Sequence, residues 1–429
     1  GSMADLNAAS LDDVKNWFRT WYGPNNAVLV LAGDIDLPTA KEKVAKYFGH
    51  IPASPTMAQP KIDVAPLKAD SRSVIADKVP QARVHRVWNV AQTGTADADR
   101  LQILGQIFGG SRSSRLDQRL LFKDQLVDNI SASAFTSQLG SNFFISATVK
   151  KGVDPAKVEA AIDEELKKLL RDGPTQTELN QARTAIKAGF IRGIERIGGF
   201  GGKADVLAEC AVYTRDPGCF RASLKIIDTV TVAQIKTAGN AWLGAGRGSH
   251  TLVVTPGERT PLPEDAAVEP AALTLPPVDP KYKTTPSTVD RSQGVKVPDT
   301  FPELKFPTLQ RATLKNGTRV VLAERNDIPV VQMNYMFSGG FTTDRAGKLG
   351  TSSFAMGMLD EGAGQYDAIA FGNRAEALGA NIGASSGLDG ANANLSALKQ
   401  NLDASIGLFA DMLRRPRFDV VTVDGDVEA

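Results

Sequence analysis

The stretch LDDVKNWFRTWYGPNNAVLVLAGDID at residues 11–36 indicates the class of fold. Its first half places apolar side chains at helical spacing, namely Leu11, Val14, Phe18 and Trp21. Residues 23–26 end that helix, because glycine and proline interrupt regular structure. Residues 27–32 (AVLVLA) then predict a buried strand, and residues 38–48 predict a second amphipathic helix. This helix–strand–helix unit is too small to hold a core by itself.

Residues 84–255 show the same mixture of strands and helices on a larger scale. The predicted strands are 84–91, 126–135, 142–150 and 249–255. The predicted helices are 96–108, 154–171, 176–196, 203–213, 217–227 and 231–243. Strands at both ends with helices between them favour an α+β fold, in which an antiparallel or mixed sheet is covered by helices on one face.

A proline-rich stretch separates this region from a third one. Residues 256–307 hold 11 of the chain's 23 prolines, so we expect an extended linker without a core. Beyond it, Asn316 and Gly317 lie between two apolar runs and predict a β-hairpin. The remaining predicted elements are strands at 330–338, 380–387 and 390–397 and helices at 348–359, 367–378 and 399–413.

Charge and hydropathy exclude several function classes. The 429 residues include 49 basic and 48 acidic ones, for a net charge of +1, so a nucleic-acid partner has no electrostatic support. No window reaches the roughly 18 apolar residues of a membrane span. Residues 1–3 resemble the remnant of a removed tag, so we expect the natural N-terminus to lie upstream.

The two cysteines, Cys210 and Cys219, are nine positions apart. That spacing matches none of the usual zinc or redox motifs. A disulfide and a pair of small buried apolar side chains both remain open, and we expect the second.

Four stretches of the chain occur in an order that is characteristic of one protein family. They are residues 11–36, ILGQIFGGSRSSRLDQRLL at 103–121, GPTQTELNQAR at 173–183 and TLKNGTRVVLAERNDIPVVQMNYMFSGG at 313–340. Each is weakly specific alone. Together they resemble the insulinase, pitrilysin and mitochondrial processing peptidase family of zinc metallopeptidases, over nearly all of residues 10–255 and 308–418.

The resemblance implies repeated metallopeptidase-like domains, each a mostly antiparallel sheet covered by helices on one face. In that family two such domains form each half of the protein, and the halves close around a peptide chamber. The resemblance divides this chain into the terminal helix–strand–helix of the first domain (4–53), the second, non-catalytic domain (60–256), an inter-half linker (257–307) and a truncated third domain (308–429).

The family's catalysis requires an inverted zinc motif, H-x-x-E-H, whose histidines bind the metal and whose glutamate activates water. The chain has three scattered histidines, which are His50, His85 and His250. Where the resemblance places the motif in the third domain, the ligand positions hold Ser353 and Gly357 and the base position holds Met356. These residues suit neither role, so we expect no metal and no activity in this chain alone. Zinc is expected in the missing first domain of the parent protein.

Two further sets of residues bear on substrate binding. The family uses an arginine and a tyrosine at the transition state, and the aligned positions here hold Leu121 and Asp128. Arg112 and Arg115 lie in the serine-rich turn that follows the helix predicted at 96–108. They could bind a peptide carboxylate or brace the turn, and both alternatives remain open.

The resemblance implies a non-catalytic portion of a bacterial zinc metallopeptidase-like protein. Its domains would wall the chamber and hold a peptide substrate against the missing catalytic half. The alternative is a structural or assembly module of a catalytically dead member of the family. Bacterial relatives suggest a periplasmic location.

The apolar stretch at residues 27–32 also suggests an assembly. An unpaired strand of this kind would expose both backbone amides and apolar side chains. We therefore predict that it pairs with a strand within residues 308–397. The pairing could form in the same chain or in a swapped homodimer.

Overall fold

The computed structural model describes residues 2–56, 62–65, 67–261, 275–292, 294, 303 and 306–419. The α-helices of this part are α1 (Met3–Ala8), α2 (Leu11–Trp21), α3 (Leu37–Phe48), α4 (Ala96–Gly109), α5 (Pro155–Asp172), α6 (Gln176–Gly193), α7 (Lys203–Thr214), α8 (Phe220–Thr229), α9 (Val232–Leu243), α10 (Thr351–Gly357), α11 (Ala368–Leu378) and α12 (Leu402–Arg414). The strands are β1 (Ser71–Asp77), β2 (Arg83–Val90), β3 (Val127–Phe135), β4 (Ser141–Val149), β5 (His250–Pro256), β6 (Leu309–Thr313), β7 (Arg319–Ala323), β8 (Val330–Ser338), β9 (Gly362–Ala363), β10 (Tyr366–Asp367), β11 (Asn381–Ser386) and β12 (Gly390–Leu398). This mixture confirms the predicted α+β class.

The chain divides into two compact units. Unit 1 comprises residues 1–59, 193–212 and 262–328. Unit 2 comprises residues 60–192, 213–261 and 329–429. Within the linker predicted at 257–307, residues 262–274, 293, 295–302, 304 and 305 lie outside the described residues.

Helix α2 in unit 1 begins and ends where the sequence predicts. Its start is set by a capping box: Ser10 Oγ accepts from the Asp13 backbone N–H at 3.2 Å, and Asp13 Oδ2 accepts from the Ser10 N–H at 2.8 Å. Two orphan amides of the first turn are satisfied in this way. The helix is stabilised locally, since Thr20 is its one buried residue.

The strand predicted at residues 27–32 does not form. These residues make no ladder with any strand of the described chain, and Val28, Leu29 and Leu31 are exposed. An apolar run becomes a strand only when a partner strand accepts its hydrogen bonds. The prediction that residues 27–32 pair with a strand of the same chain is therefore wrong. Their pairing in a swapped homodimer stays a prediction.

The hairpin predicted around Asn316 and Gly317 is confirmed. Strands β6 and β7 pair antiparallel from Leu309–Ala323 to Thr313–Arg319. Gly317 has a φ of 87°, a left-handed conformation that favours glycine. Both strands are exposed along their whole length, and they pair with each other alone among the described strands.

Unit 2 contains a five-stranded sheet in the order β1-β5-β2-β4-β3. β1 and β5 run parallel, and the other neighbouring pairs are antiparallel. All five strands fall within the predicted second domain, residues 60–256. The sequence allowed an antiparallel or a mixed sheet, and the observed sheet is mixed.

Helices cover one face of this sheet. Along β4 every second residue is buried, which is the pattern of a strand with one covered face. Trp88 and Phe143 contact each other edge to face at 6.1 Å between ring centroids, and both are fully buried. The core also includes side chains from α4, α5 and α9, among them Leu101, Ile162 and Ile235.

A second, three-stranded sheet in unit 2 has the antiparallel order β11-β12-β8. Its core is smaller. Phe371 of α11, Leu395 of β12 and Phe409 and Met412 of α12 lie at its centre.

Helix α6 joins the two sheets of unit 2 at Gly379. Gly379 ends α11 with a φ of 62°, and a β-carbon there would lie 3.1 Å from Thr184 and 3.2 Å from Ala188. Arg192 at the end of α6 donates to the Gly379 carbonyl, to Ser396 Oγ at 3.1 Å and to the Ser396 carbonyl at 3.0 Å. The absence of a side chain lets α11 approach α6 closely enough for these bonds.

The expectation of two free, buried thiols is wrong. Cys210 and Cys219 are disulfide-bonded. Spacing alone could not decide this, because a disulfide depends on how the chain between the cysteines folds.

Candidate functional site

Helix α10 occupies the position of the degenerate motif. Its first residue follows Gly350, which has a left-handed φ of 94°. The Asp344 carboxylate caps this turn by accepting from the Gly350 N–H at 2.8 Å and the Ser352 N–H at 3.0 Å. These two hydrogen bonds fix the start of the helix locally.

The motif positions offer no metal-binding chemistry. Ser353 and Gly357 are exposed and Met356 is half-buried. A hydroxyl, a thioether and a glycine do not match the nitrogen, thiolate and carboxylate ligands that zinc takes in proteins. Among the residues that the structure describes, no group of three or more His, Cys, Asp or Glu side chains could hold a metal ion. The residues present do not fit zinc.

Two of the three histidines, His85 and His250, contact serines on the five-stranded sheet. His250 Nδ1 lies 2.8 Å from Ser71 Oγ, and its Nε2 lies 3.0 Å from Ser73 Oγ. His85 Nδ1 lies 3.0 Å from Ser146 Oγ. Burial lowers the pKa of His85, and nearby Arg83 lowers it further. His85 is thus held neutral in a cross-strand hydrogen bond.

Strand β11 forms an open edge beside α10. It pairs with β12 on one side, and no described strand pairs with its other side. Ser352 Oγ of α10 and Ser386 Oγ at the end of β11 are 2.6 Å apart. An edge strand has free backbone N–H and C=O groups that can pair with an added strand.

A cavity of about 550 Å³ opens at the start of β11. Its lining comes from α6, α11, the segment before β9 and the first residues of β11: Arg112, Ala185, Ala188, Gly189, Arg192, Asp360, Ala368, Phe371, Gly372, Ala375, Glu376, Gly379, Ala380, Asn381 and Ile382. We call it the β11 cavity. The lining of the β11 cavity contains positively charged, negatively charged and apolar side chains.

Arg112 lies at the β11 cavity, as one sequence alternative allows. Its Nη1 is 3.4 Å from Glu361 Oε1, its guanidinium lies 5.4 Å from the Phe122 ring centroid, and more than half of its side chain is exposed. The neighbouring Ser113 Oγ donates to Glu376 at 2.5 Å. Arg112 thus retains exposed donors in the cavity.

Arg115 is occupied within unit 2. Its Nε and Nη2 donate to the Glu178 carboxylate at 2.6 and 2.9 Å, and Nη2 also donates to the Gly173 carbonyl at 3.1 Å. Burial alone would raise the pKa of Glu178, but hydrogen bonds from Arg115 and Thr175 outweigh it and hold that pKa below its usual value. This geometry favours the bracing alternative for Arg115.

Two carboxyl groups near Arg112 have shifted pKa values. Burial raises the pKa of Asp360, and the Glu361 carboxylate raises it further against the attraction of Arg112. Burial likewise raises the pKa of Asp117, whose Oδ2 accepts from Ser114 Oγ at 2.7 Å. Of these two groups, Asp360 lines the β11 cavity.

Sequence patterns did not indicate Arg192, which lines the β11 cavity. Burial lowers the pKa of Arg192, and its three hydrogen bonds all go to neutral oxygens. Its position at the end of α6 gave no sign of this, because the acceptors lie about two hundred residues later in the chain.

The positions aligned with the family's arginine and tyrosine have other roles. Leu121 packs against the core of the five-stranded sheet. Asp128 on β3 accepts a hydrogen bond from the Gln81 side chain. Neither can replace a phenol or a guanidinium.

Comparison with known proteins gives a family match for part of the chain. Residues 8–186 match the family model described as "Peptidase M16 inactive domain". The matched residues make up less than half of the 429 residues of the chain. The match confirms the resemblance over residues 8–186, which contain three of the four sequence stretches, and its description agrees with a domain that lacks the zinc motif.

Two proteins of Helicobacter pylori are similar in sequence. The protein named zinc protease PqqE is 27% identical over 207 residues, which are 46% of this chain and 45% of PqqE. The protein named non-peptidase homolog YmxG is 22% identical over 194 residues, which are 43% of this chain and 42% of YmxG. The aligned part thus spans less than half the length of either relative.

A solved protease structure from Helicobacter pylori has the same fold. It superposes with a TM-score of 0.54 at 23% identity and covers 60% of this chain and 62% of that one. No helix in the described part of the chain combines the length and apolar character needed to cross a membrane.

Proposed function

We propose that this chain is a non-catalytic portion of a zinc peptidase-like protein and that it binds an extended peptide along the open edge of β11. The observation that carries the proposal is the position of this edge, between the degenerate helix α10 and the β11 cavity. Peptides commonly bind by adding a strand to an exposed sheet edge.

The side chains of β11 suit such an addition. Gly383, Ala384 and Ser385 are small, so another backbone can come close to this strand. Small side chains leave the backbone hydrogen bonds as the main source of affinity, which allows peptides of varied sequence.

The β11 cavity supplies room for side chains of the peptide. Its volume of about 550 Å³ lies within the range of roughly 300–1,000 Å³ of small-ligand sites. Arg112 and Arg192 offer donors, and Asp360 and Glu376 offer acceptors. A peptide carries both kinds of partner.

Catalysis would come from elsewhere in the intact protein. Because Ser353, Met356 and Gly357 cannot bind or use zinc, the described chain would enclose and orient the substrate. The missing catalytic half would bring zinc, and the two halves would enclose the peptide. The disulfide between Cys210 and Cys219 supports an oxidising compartment such as the periplasm.

A structural or assembly module is the second candidate. The similarity to a protein named as a non-peptidase homolog favours it. Such a module would need no affinity for peptides, so peptide binding separates the two candidates.

Fluorescence anisotropy of the whole chain with a labelled unstructured peptide tests the proposal. Backbone N–H groups along β11 alternate between β12 and the open edge. Ala384 and Ser385 are neighbours, so one of their N–H groups faces β12 and the other faces the open edge. The proline substitution at the residue whose N–H faces the open edge should leave the far-ultraviolet circular dichroism and the melting temperature unchanged. That variant should lose peptide affinity by about tenfold or more, because proline removes a donor.

The opposite edge of the same sheet supplies the control. Gln332 and Met333 in β8 are also neighbours, and the N–H group of one of them faces away from β12. The proline substitution at that residue should leave peptide affinity unchanged. Equal affinity of wild-type chain and β11 variant, or no peptide binding at all, would overturn the proposal. Absence of binding would favour the assembly module.

A further inference from the structure

A second cavity in unit 2 lies on another side of α6. It has a volume of about 380 Å³ and is bounded by α6, the end of α8, the residue before β8 and the residues that follow β12. Four charged side chains line it, namely Arg183, Lys187, Asp228 and Lys399. We call it the α6 cavity.

The charges of the α6 cavity do not balance. Lys187 Nζ lies 2.6 Å from Asp228 Oδ1, so these two charges form a pair. Arg183 and Lys399 remain, and in the described chain neither has a carboxylate within ion-pair distance. Two positive charges are therefore uncompensated in a partly enclosed space, where an anion would be attracted more strongly than in bulk water.

The hydrogen bonds of Arg183 leave its charge available. Nε donates to the Ile227 carbonyl at 2.8 Å, Nη1 donates to Asn180 Oδ1 at 3.3 Å, and Nη2 donates to the Val230 carbonyl. All three acceptors are neutral. They fix the guanidinium beside the end of α8, so little conformational entropy would be lost when an anion binds.

Apolar side chains complete the wall. Ile191, Pro329 and Leu398 line the cavity together with the charged groups. A free inorganic anion would gain nothing from them. A ligand that carries a carboxylate and an apolar group on neighbouring atoms would use both surfaces, and the C-terminal residue of a peptide is such a ligand.

We propose that the α6 cavity binds the C-terminal residue of a peptide, with its carboxylate at Arg183 and Lys399 and its apolar side chain against Ile191, Pro329 and Leu398. The inference rests on the proposed peptide-binding function and adds a preference for a free C-terminal carboxylate. Lys399 is the residue to test, because Arg183 also braces α8 and its loss could disturb the fold.

The experiment compares two labelled peptides that end in leucine, one with a free carboxylate and one with a C-terminal amide. Both are titrated against the whole chain, Lys399→Gln and Lys157→Gln. Lys157 is an exposed lysine of α5 and serves as the matched control. The carboxylate peptide should bind the unmodified chain about tenfold more tightly than the amide, because only the carboxylate can accept charge-assisted hydrogen bonds from the two cations.

The double-mutant cycle identifies the contact. Lys399→Gln should weaken binding of the carboxylate peptide and leave the amide unchanged, while Lys157→Gln should change neither. If acid and amide bind equally, or if Lys399→Gln weakens both alike, the carboxylate site is refuted while peptide binding stands. If neither peptide binds, the proposed function fails and this inference fails with it.

Discussion

Helices α2 and α5 have similar amphipathic sequences and opposite surroundings. In α5, Val158, Ile162 and Leu169 are buried in the core of the five-stranded sheet. In α2, Trp17 and Phe18 remain 57% and 54% exposed. Both helices form, so local spacing and caps suffice for the helix. Only α5 meets a sheet that removes its apolar face from water, and most of the stability of a helix in a protein comes from such packing.

The same contrast extends to the two units. Unit 2 holds both hydrophobic cores among the described residues, and their members come from the helices and strands of its two sheets. In unit 1 the hairpin β6–β7 and residues 28, 29 and 31 expose their apolar side chains. A swapped homodimer would cover such surface, and it stays a prediction.

Replacing one tryptophan in each region should give the largest contrast. Trp88→Ala removes a side chain that is 1% exposed, so the free energy of unfolding should fall by about 3–5 kcal/mol. Trp17→Ala should change it by less than about 0.5 kcal/mol. Urea unfolding followed by circular dichroism measures both. A comparable loss for Trp17→Ala would show that α2 is buried in solution, and sedimentation at rising concentration would then reveal whether a second copy covers it.

Breaking the ion pair of Arg115 and Glu178 should have the next largest effect. Their side chains are 18% and 23% exposed, and Arg115→Met leaves a partly buried carboxylate without its partner. We expect a loss of about 2–3 kcal/mol, below the roughly 3–5 kcal/mol of a fully buried pair, because water still reaches this one. Arg72→Met, which breaks a more exposed pair with Glu159, should cost less than about 1 kcal/mol. Similar losses for the two variants would contradict the bracing role of Arg115.

The pH dependence of stability should report on the same pair. The pKa of Glu178 is held below its usual value in the folded chain. Its contribution is therefore present above the unfolded pKa of about 4.3 and is lost as the pH falls through the folded value. Glu178→Gln should remove that part of the acid-induced loss of stability, whereas Glu258→Gln, at an exposed pair with Lys78, should not. Unchanged acid unfolding of Glu178→Gln would exclude a linked proton at this site.

The smallest effect is expected at the cap of α2. Ser10→Ala removes the Oγ that accepts from the Asp13 N–H, which is one of the two hydrogen bonds of the capping box. The stability of the helix should therefore fall by about 1 kcal/mol. Because α2 contributes little buried surface, the change should be seen in amide hydrogen exchange of α2 while the unfolding of unit 2 stays the same. A shift in the unfolding of unit 2 would refute the local character of α2.

Several features of this chain could be predicted because they depend on residues near each other in sequence. Helices α2 and α5 and the glycine turn of the β6–β7 hairpin are of this kind. Periodicity, caps and turn residues act within a few positions, so a pattern can reveal them. The order of four short stretches further identified the family.

Features that depend on distant residues were decided by tertiary structure. Residues 27–32 have the composition of a strand and form none, because no described strand lies alongside to accept their hydrogen bonds. Arg115 proved to be bound to Glu178 and Arg192 to Gly379, although neither partner could be inferred from spacing. The parallel pairing of β1 with β5 and the two cavities beside α6 likewise depend on how separate elements pack. Local sequence sets what each segment can form, whereas burial and hydrogen-bond pairing across the chain decide what it does form.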